Sequence, residues 1–229
     1  MARERKRLTR HEVKEDELAE FVLKSWRYAQ AHSKQIAGII IFACIIAIVA
    51  TFAVRGRRQT QAEAQFWISE GNNALARGNL EGALQAFNAV IEKYRGTPGH
   101  SDAVFFLANT HFLAGNYDSA LVFFQRYLNL KKRRPEFTVS AEEAIAQCLE
   151  EVGRYKEAAD AYLKVQREHP DSELAPDALM GAGRCYELAG DLEQARKAYQ
   201  ELIDLYPDSN EANLVKMPLL ELQARLESS

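Results

Sequence analysis

The sequence is poor in the residues that chemistry needs. Of its 229 residues only three are cysteine and five are histidine. Cys44, Cys148 and Cys185 are too few and too scattered for a disulfide framework or a zinc site. Cys148 and Cys185 fall 37 residues apart, at equivalent places in two successive helical segments. Neighbouring helices pack about 8–10 Å apart, beyond the roughly 7 Å within which two Cα atoms can be bridged, so both read as buried free thiols, with a disulfide as the alternative. His11, His32, His100, His111 and His169 have no cysteine or second histidine at metal-ligand spacing. His111, on an inner helix, reads as a packed or partner-facing side chain. A phosphate-binding glycine loop and a nucleophile elbow are both missing. The pairs Glu142-Glu143 and Glu150-Glu151 are adjacent along a helix, point in different directions, and read as solvated or groove-facing charge. No nucleophile, metal site or cofactor site is legible, so the expectation is a non-enzyme with no cofactor.

An excess of positive charge is also lacking. The net charge is −3, and it is unevenly spread. Residues 1–34 hold 9 Lys/Arg against 6 Asp/Glu, whereas residues 59–229 hold 17 against 26. A body at −9 argues against nucleic acid as a partner. One dense basic run interrupts it, Lys131-Lys-Arg-Arg134, either a solvated loop or a contact for lipid head groups or an acidic partner.

What the chain does have is one long apolar run. Ile36 to Val54 is 19 residues without a charge. At 1.5 Å per residue a helix of this length covers about 28 Å, close to the hydrocarbon thickness of a bilayer. Residues 35–55 are therefore expected to form a transmembrane signal anchor. A cleaved signal peptide fits poorly, because the charged leader would be too long and no small-residue cleavage site follows. Nine Lys/Arg precede the run and three arginines (Arg55, Arg57, Arg58) follow it closely. The whole short tail outweighs the far side, which places the N-terminus in the cytoplasm and the rest across the membrane. Within the tail, 1–34, Leu18, Phe21, Val22 and Trp26 share one helical face, the pattern of a juxtamembrane amphipathic helix on lipid or of a docking helix for a membrane partner.

After the run, one short phrase occurs four times: Gly78-Asn-Leu-Glu-Gly-Ala83, Gly115-Asn-Tyr-Asp-Ser-Ala120, Gly153-Arg-Tyr-Lys-Glu-Ala158 and Gly190-Asp-Leu-Glu-Gln-Ala195. The glycines stand 37, 38 and 37 residues apart. A fixed period of that size marks a solenoid of helical hairpins. The glycine ends one helix in a left-handed conformation, and the alanine lets the next approach closely. Trp67, Gly71 and Ala74 before the first phrase, and Ala83, Phe87 and Val90 after it, follow helical spacing. The later units repeat it, with Ala120, Phe124 and Tyr127, then Ala158, Tyr162 and Val165, then Ala195, Tyr199 and Leu202. Pro98, Pro170 and Pro207 are read as closing units. Ser140 with Glu143, and Thr60 with Glu63, are read as capping boxes that start units three and one.

These residues resemble the tetratricopeptide repeat. Trp67, Gly71, Ala83 and Phe87 match its pattern in unit one, and Gly183, Tyr186, Ala195, Tyr199 and Pro207 match it in unit four. His111 and Tyr127 make unit two the most divergent. The fold class is therefore all-α: a TPR-like helical-hairpin solenoid over residues 60–208, preceded by a single transmembrane helix. The units cover about 62–98, 101–135, 138–170 and 174–207, and residues 209–229 form a capping helix, bent or restarted at Pro218. Leu214, Leu219, Leu222 and Leu226 there cover the last apolar edge or serve a dimer contact.

The resemblance implies that the first helices line a concave groove. By that register Asn72, Leu75, Phe105, Asn109, Phe112, Gln147, Glu150, Arg184 and Glu187 face it. Asn72 and Asn109 would hold the backbone of an extended peptide while Phe105 and Phe112 receive its apolar groups, unless both phenylalanines are inter-helix core. Ile68 stands where a carboxylate-clamp lysine would be expected, which disfavours partners with an acidic C-terminal peptide. The basic tail with Lys14-Glu-Asp-Glu-Leu18, one anchor and elongated repeats is similar to bacterial inner-membrane TPR proteins, above all the ancillary subunit of the Sec translocon. Units three and four, with Pro170-Asp-Ser and Pro207-Asp-Ser, also look like the TPR domain of the cell-division coordinator of the Tol–Pal system. The implied function is an inner-membrane protein with periplasmic repeats that bind protein partners or extended peptides, such as translocon components or periplasmic chaperones. The alternatives are a self-associating scaffold in envelope assembly or division and, with topology reversed, a cytosol-facing receptor.

Overall fold

Each of the four phrase glycines has a positive φ, 72° at Gly78, 74° at Gly115, 77° at Gly153 and 78° at Gly190. The structure, a computed structural model, describes residues 20, 21, 23–28 and 30–227, apart from the side chains at 33, 36, 39 and 40. At every phrase the residue after the glycine donates its N–H back to a carbonyl five residues earlier at 2.9 Å: Asn79 to Ala74, Asn116 to His111, Arg154 to Leu149 and Asp191 to Tyr186. This capping satisfies carbonyls that a helix end would otherwise leave bare, and only glycine takes the required φ without strain.

The chain divides into two compact units between Arg58 and Gln59. In the first, residues 20, 21 and 23–28 are helical, and helix α1, Ser33–Ala76, begins. Phe21 and Trp26 of the tail are exposed, while Leu18 and Val22, which share their expected face, lie outside the described residues. Every side chain from Ile41 to Val54 is exposed. Among the described residues no helix is long and apolar enough to cross a membrane. The expected anchor, 35–55, includes Ile36, Ile39 and Ile40, whose side chains lie outside the described residues.

The second unit is an all-α solenoid, with no strand among the described residues. The end of α1 pairs with α2 (Leu80–Lys93), α3 (Pro98–Leu113) with α4 (Tyr117–Leu128), α5 (Thr138–Glu151) with α6 (Tyr155–Glu168), and α7 (Ala175–Leu188) with α8 (Leu192–Leu205). From α2 to α8 each helix packs on the next in sequence. One ring per hairpin fills the seam: Phe87, Phe124, Tyr162 and Tyr199, all buried. A Cβ on Gly71 would come within 2.5 Å of the Phe87 ring, so the glycine there is required by closeness and not by φ. Two helices cap the end, α9 (Asn210–Leu214) and α10 (Lys216–Glu227), with Pro218 in the first turn of α10. The break lies at Val215, which makes the segment restarted and not merely bent. Leu219 and Leu222 are buried, Leu219 in a cluster with Leu179, Tyr199, Leu202, Ala212 and Val215, while Leu214 is exposed.

Three sequence expectations fail locally. Pro98 does not close unit one; it opens α3, where its missing N–H costs nothing. Thr60 lies inside α1 and starts no helix; Glu63 instead accepts from Gln59 at 3.2 Å and from the Tyr94 hydroxyl at 3.3 Å. Helix α5 begins at Thr138 without a side-chain cap, after a 3-10 turn at Pro135–Phe137, so Ser140 and Glu143 make no capping box. Glu143 is buried instead.

Candidate functional site

The spacing of the first helices decides what they expose. On α5, Glu143, Gln147, Glu150 and Glu151 recur at helical spacing and form one stripe; on α7, Asp177, Gly181 and Arg184 form another. With Phe112 of α3 and Tyr162 of α6, most of these side chains line a cavity of about 330 Å³, whose walls are Phe112, Gln147, Glu150, Glu151, Tyr162, Asp177 and Arg184. Four of the residues expected to face a groove, Phe112, Gln147, Glu150 and Arg184, are thus brought together. Asp177 and Tyr162 were not foreseen, although the four-residue step from Asp177 to Gly181 was a readable signal, and Glu151 takes the groove-facing one of its two expected places.

The other expected residues go elsewhere. Phe105 stacks on Phe137 at 4.6 Å and 10°, and meets Phe106, Phe124 and Tyr127 edge-on. It belongs to an aromatic cluster between units two and three. Leu75 packs against the core, Asn72 is exposed and Asn109 is half-buried. Glu187 lies beside Tyr199, and its Oε1 is buried without a hydrogen-bond partner.

Electrostatics divide the cavity. Arg184 grips Glu150 with two hydrogen bonds, Nε to Oε1 at 2.6 Å and Nη2 to Oε2 at 2.9 Å, and the Tyr162 hydroxyl donates to the same Oε2 at 3.0 Å. Burial pushes the Glu150 carboxyl up, but the Arg184 guanidinium outweighs it and the net direction is down. Burial and then the Glu150 charge drive the Tyr162 phenol up. Glu143 is not part of the wall but is hydrogen-bonded to Asp177, which is. Burial, then the hydrogen bond and charge of Asp177, raise its carboxyl to about 7. A carboxyl that holds its proton more tightly when folded contributes stability that is full below its unfolded value of 4.5 and is lost as pH rises through about 7. A Glu143→Gln variant is therefore expected to be more stable than the parent by about 1–3 kcal/mol at pH 8. That gain disappears toward pH 4.5, as urea unfolding at the two pH values would show.

Cys148 and Cys185 are free and buried, with thiols pushed up by burial to about 12, which makes them poor nucleophiles. His111 stacks on Phe123 at 5.3 Å, and burial lowers its pKa, favouring the neutral ring. Among the described residues, Glu142, Glu168 and His169 are close enough to share a metal ion. Lys164 already lies 3.8 Å from Glu142 and 3.7 Å from Glu168, so an ammonium supplies the positive charge there. The basic run 131–134 is partly structural: Arg134 pairs at 2.8 Å with buried Asp102, and Lys132, Arg133 and Arg134 line a second cavity of about 320 Å³ with Gly96, Pro98 and Ser101.

A family profile described as tetratricopeptide repeat matches residues 68–136 and 143–210, more than half of the chain. Among curated proteins, the Protein CTR9 homolog of Arabidopsis thaliana is 26% identical over 148 residues, which is 63% of this chain and only 13% of that protein. Among solved structures, MamA from residue 41 onward, of Desulfovibrio magneticus RS-1, superimposes with a TM-score of 0.58 at 20% identity, covering 72% of this chain and 86% of that one. A tetratricopeptide repeat protein of Parabacteroides merdae gives 0.60 at 17% identity, over 72% and 62%. YrrB, described as a TPR protein with an unusual peptide-binding site, gives 0.55 at 20%, over 72% and 86%. At these identities the structural likenesses speak for the fold alone. With four glycine-capped hairpins and a profile match across both halves of the repeat region, the chain belongs to the tetratricopeptide repeat family.

Proposed function

We propose that this chain is a membrane-tethered interaction protein whose first helices bind an extended segment of a protein partner. The observation that carries the binding part is the cavity spanning α3, α5 and α7, where an aromatic ring, an amide and unneutralised carboxylates converge. An apolar wall with a few placed polar groups is the usual make-up of a recognition site. Support for the tether is the sequence run Ile36 to Val54 together with the exposure of its side chains from Ile41 onward. The charge of the tail favours a cytoplasmic N-terminus in a bacterial inner membrane, with the repeats in the periplasm. There the partners would be translocon components, emerging chains or periplasmic chaperones, as in the ancillary Sec subunit family. Holding both partners at one membrane raises their effective concentration, so each contact can be weak.

The test is a photo-crosslinking side chain placed at Asn109, or at the likewise half-buried Gln200 on a second helix, in the full chain in intact cells, with a compartment reporter fused after Ser229. Crosslinks to protein from position 109 and none from 200, with the reporter active outside the cytoplasm, are the expected result. Crosslinks from 200 alone would sink the groove reading, and a cytoplasmic reporter would sink the periplasmic one.

A further inference from the structure

Glu143 is a carboxyl group without a cation. It is 6% exposed, and among the described residues the only ionisable neighbour acting on it is a second carboxyl, Asp177 of α7. Among the described residues no ion pair includes it. Its peers are matched: Glu150 by Arg184, Asp102 by Arg134, Glu142 by His169 and Lys164. Burying a carboxylate beside another is unfavourable unless positive charge arrives.

The wall of the cavity has no positive charge to spare. Arg184, its one cation, is bound through two nitrogens to Glu150, which leaves Asp177 and Glu151 unneutralised beside the Phe112 ring and the Gln147 amide. The volume of about 330 Å³ is near the lower end of the range for ligand sites, a fit for one side chain. A bare calcium ion would ask for six or more oxygen ligands and gain nothing from an aromatic wall. A side chain with an apolar stem and a cationic head uses both features.

We propose that this cavity receives a lysine or arginine side chain from the partner's extended segment, its stem along Phe112 and its charge against Asp177, which the buried Glu143 backs from behind the wall. The inference rests on the groove reading above and adds a chemical identity to the partner: it is basic at the residue that enters between α5 and α7. An acidic or uncharged segment would leave Asp177 of the wall without a cation, so the same feature rejects such partners.

The experiment uses the full chain in a non-ionic detergent at 0.15 M salt, with fluorescence anisotropy of two labelled nonapeptides. One alternates alanine with arginine; the other replaces each arginine by citrulline, which keeps the shape and removes the charge. The arginine probe is expected to bind at least about tenfold more tightly than the citrulline probe. Asp177→Asn and Glu143→Gln should each weaken the arginine probe about tenfold and leave the citrulline probe unchanged. Glu201→Gln, which removes an equal charge from an exposed site on α8, should change neither. Because Glu143→Gln is expected to stabilise the fold, its loss of binding would not come from unfolding. Equal binding of the two probes, or an equal loss from Glu201→Gln, overturns the inference. If both probes then still weaken with Phe112→Ala, the groove reading stands without the charge preference. If neither probe binds, the cationic pocket is wrong and the groove reading is decided by the crosslinks from position 109.

Discussion

In an Arg134→Ala variant the protein is expected to lose about 3 kcal/mol of stability at pH 8, the low end for breaking a buried ion pair because Arg134 is itself half-exposed. Asp102 is 97% buried, Arg134 is the one cation paired with it among the described residues, and its second oxygen already lacks a hydrogen bond. Removing the guanidinium leaves an anion stranded at the start of α3. Burial already holds the Asp102 carboxyl above its usual value against the pull of Arg134, so losing Arg134 moves it further up. A raised carboxyl contributes stability below its unfolded pKa and loses it as pH rises through the folded value. The deficit of the variant relative to the parent must therefore grow with pH and shrink in acid. Asp102→Asn added to Arg134→Ala should return most of the loss, since a neutral amide costs less to bury. The backbone carbonyl at 134 survives in the variant, so the Tyr127 hydroxyl keeps its 2.7 Å bond there. Urea unfolding at pH 5 and pH 8 measures all of this. An equal loss at both pH values would show that Asp102 is not the source.

The second large effect is expected from Gly183→Ala, a change that helix propensity alone would favour by about 1 kcal/mol. Gly183 lies inside α7, and a Cβ there would fall well inside contact distance of the Tyr199 ring. The ring is buried at the seam of α7 and α8, so it has little room to move. Overpacking of this kind costs about 1–3 kcal/mol, enough to cancel the propensity gain and reverse its sign. In a solenoid each hairpin leans only on its neighbours, so the damage should be confined to unit four and the cap. Hydrogen exchange should show faster opening of α8 through α10 with α2 to α4 unchanged. Adding Tyr199→Leu should restore part of the stability by giving the methyl group space, and no recovery would mean that the ring is not the obstacle.

These two cases mark where reading the chain stops. The Asp102–Arg134 pair joins residues 32 apart in sequence, and nothing in the run Lys131-Lys-Arg-Arg134 distinguishes its last member from the other three. The candidate site was half-legible. Register within a helix follows from the 3.6-residue period, and the resemblance to the tetratricopeptide repeat implies which face turns inward, so Phe112, Gln147, Glu150 and Arg184 could be placed on it in advance. Whether charges on that face meet a partner or each other depends on the distance between successive first helices, and no period encodes that distance. The pairing of Glu150 with Arg184 and the burial of Glu143 were invisible for this reason. Phe105 lies one turn from Asn109 on the same helix, yet the 3-10 turn at Pro135–Phe137 brings Phe137 over it and makes it core.

By itself the sequence determined the repeat: four glycines that must take positive φ, the small residues beside a ring, and an apolar run of membrane length. Those are local requirements, set by backbone sterics and by side-chain period, and each can be read within one hairpin or one helix. Tertiary structure decided the rest. Ala108 and Ala146 hold in units two and three the place that Gly71 and Gly183 hold in units one and four, and only the packed distance to the ring shows where a methyl group is one too many. It also decided which carboxylates are neutralised, because charge pairing depends on separations of a few ångströms between side chains more than thirty residues apart in the chain.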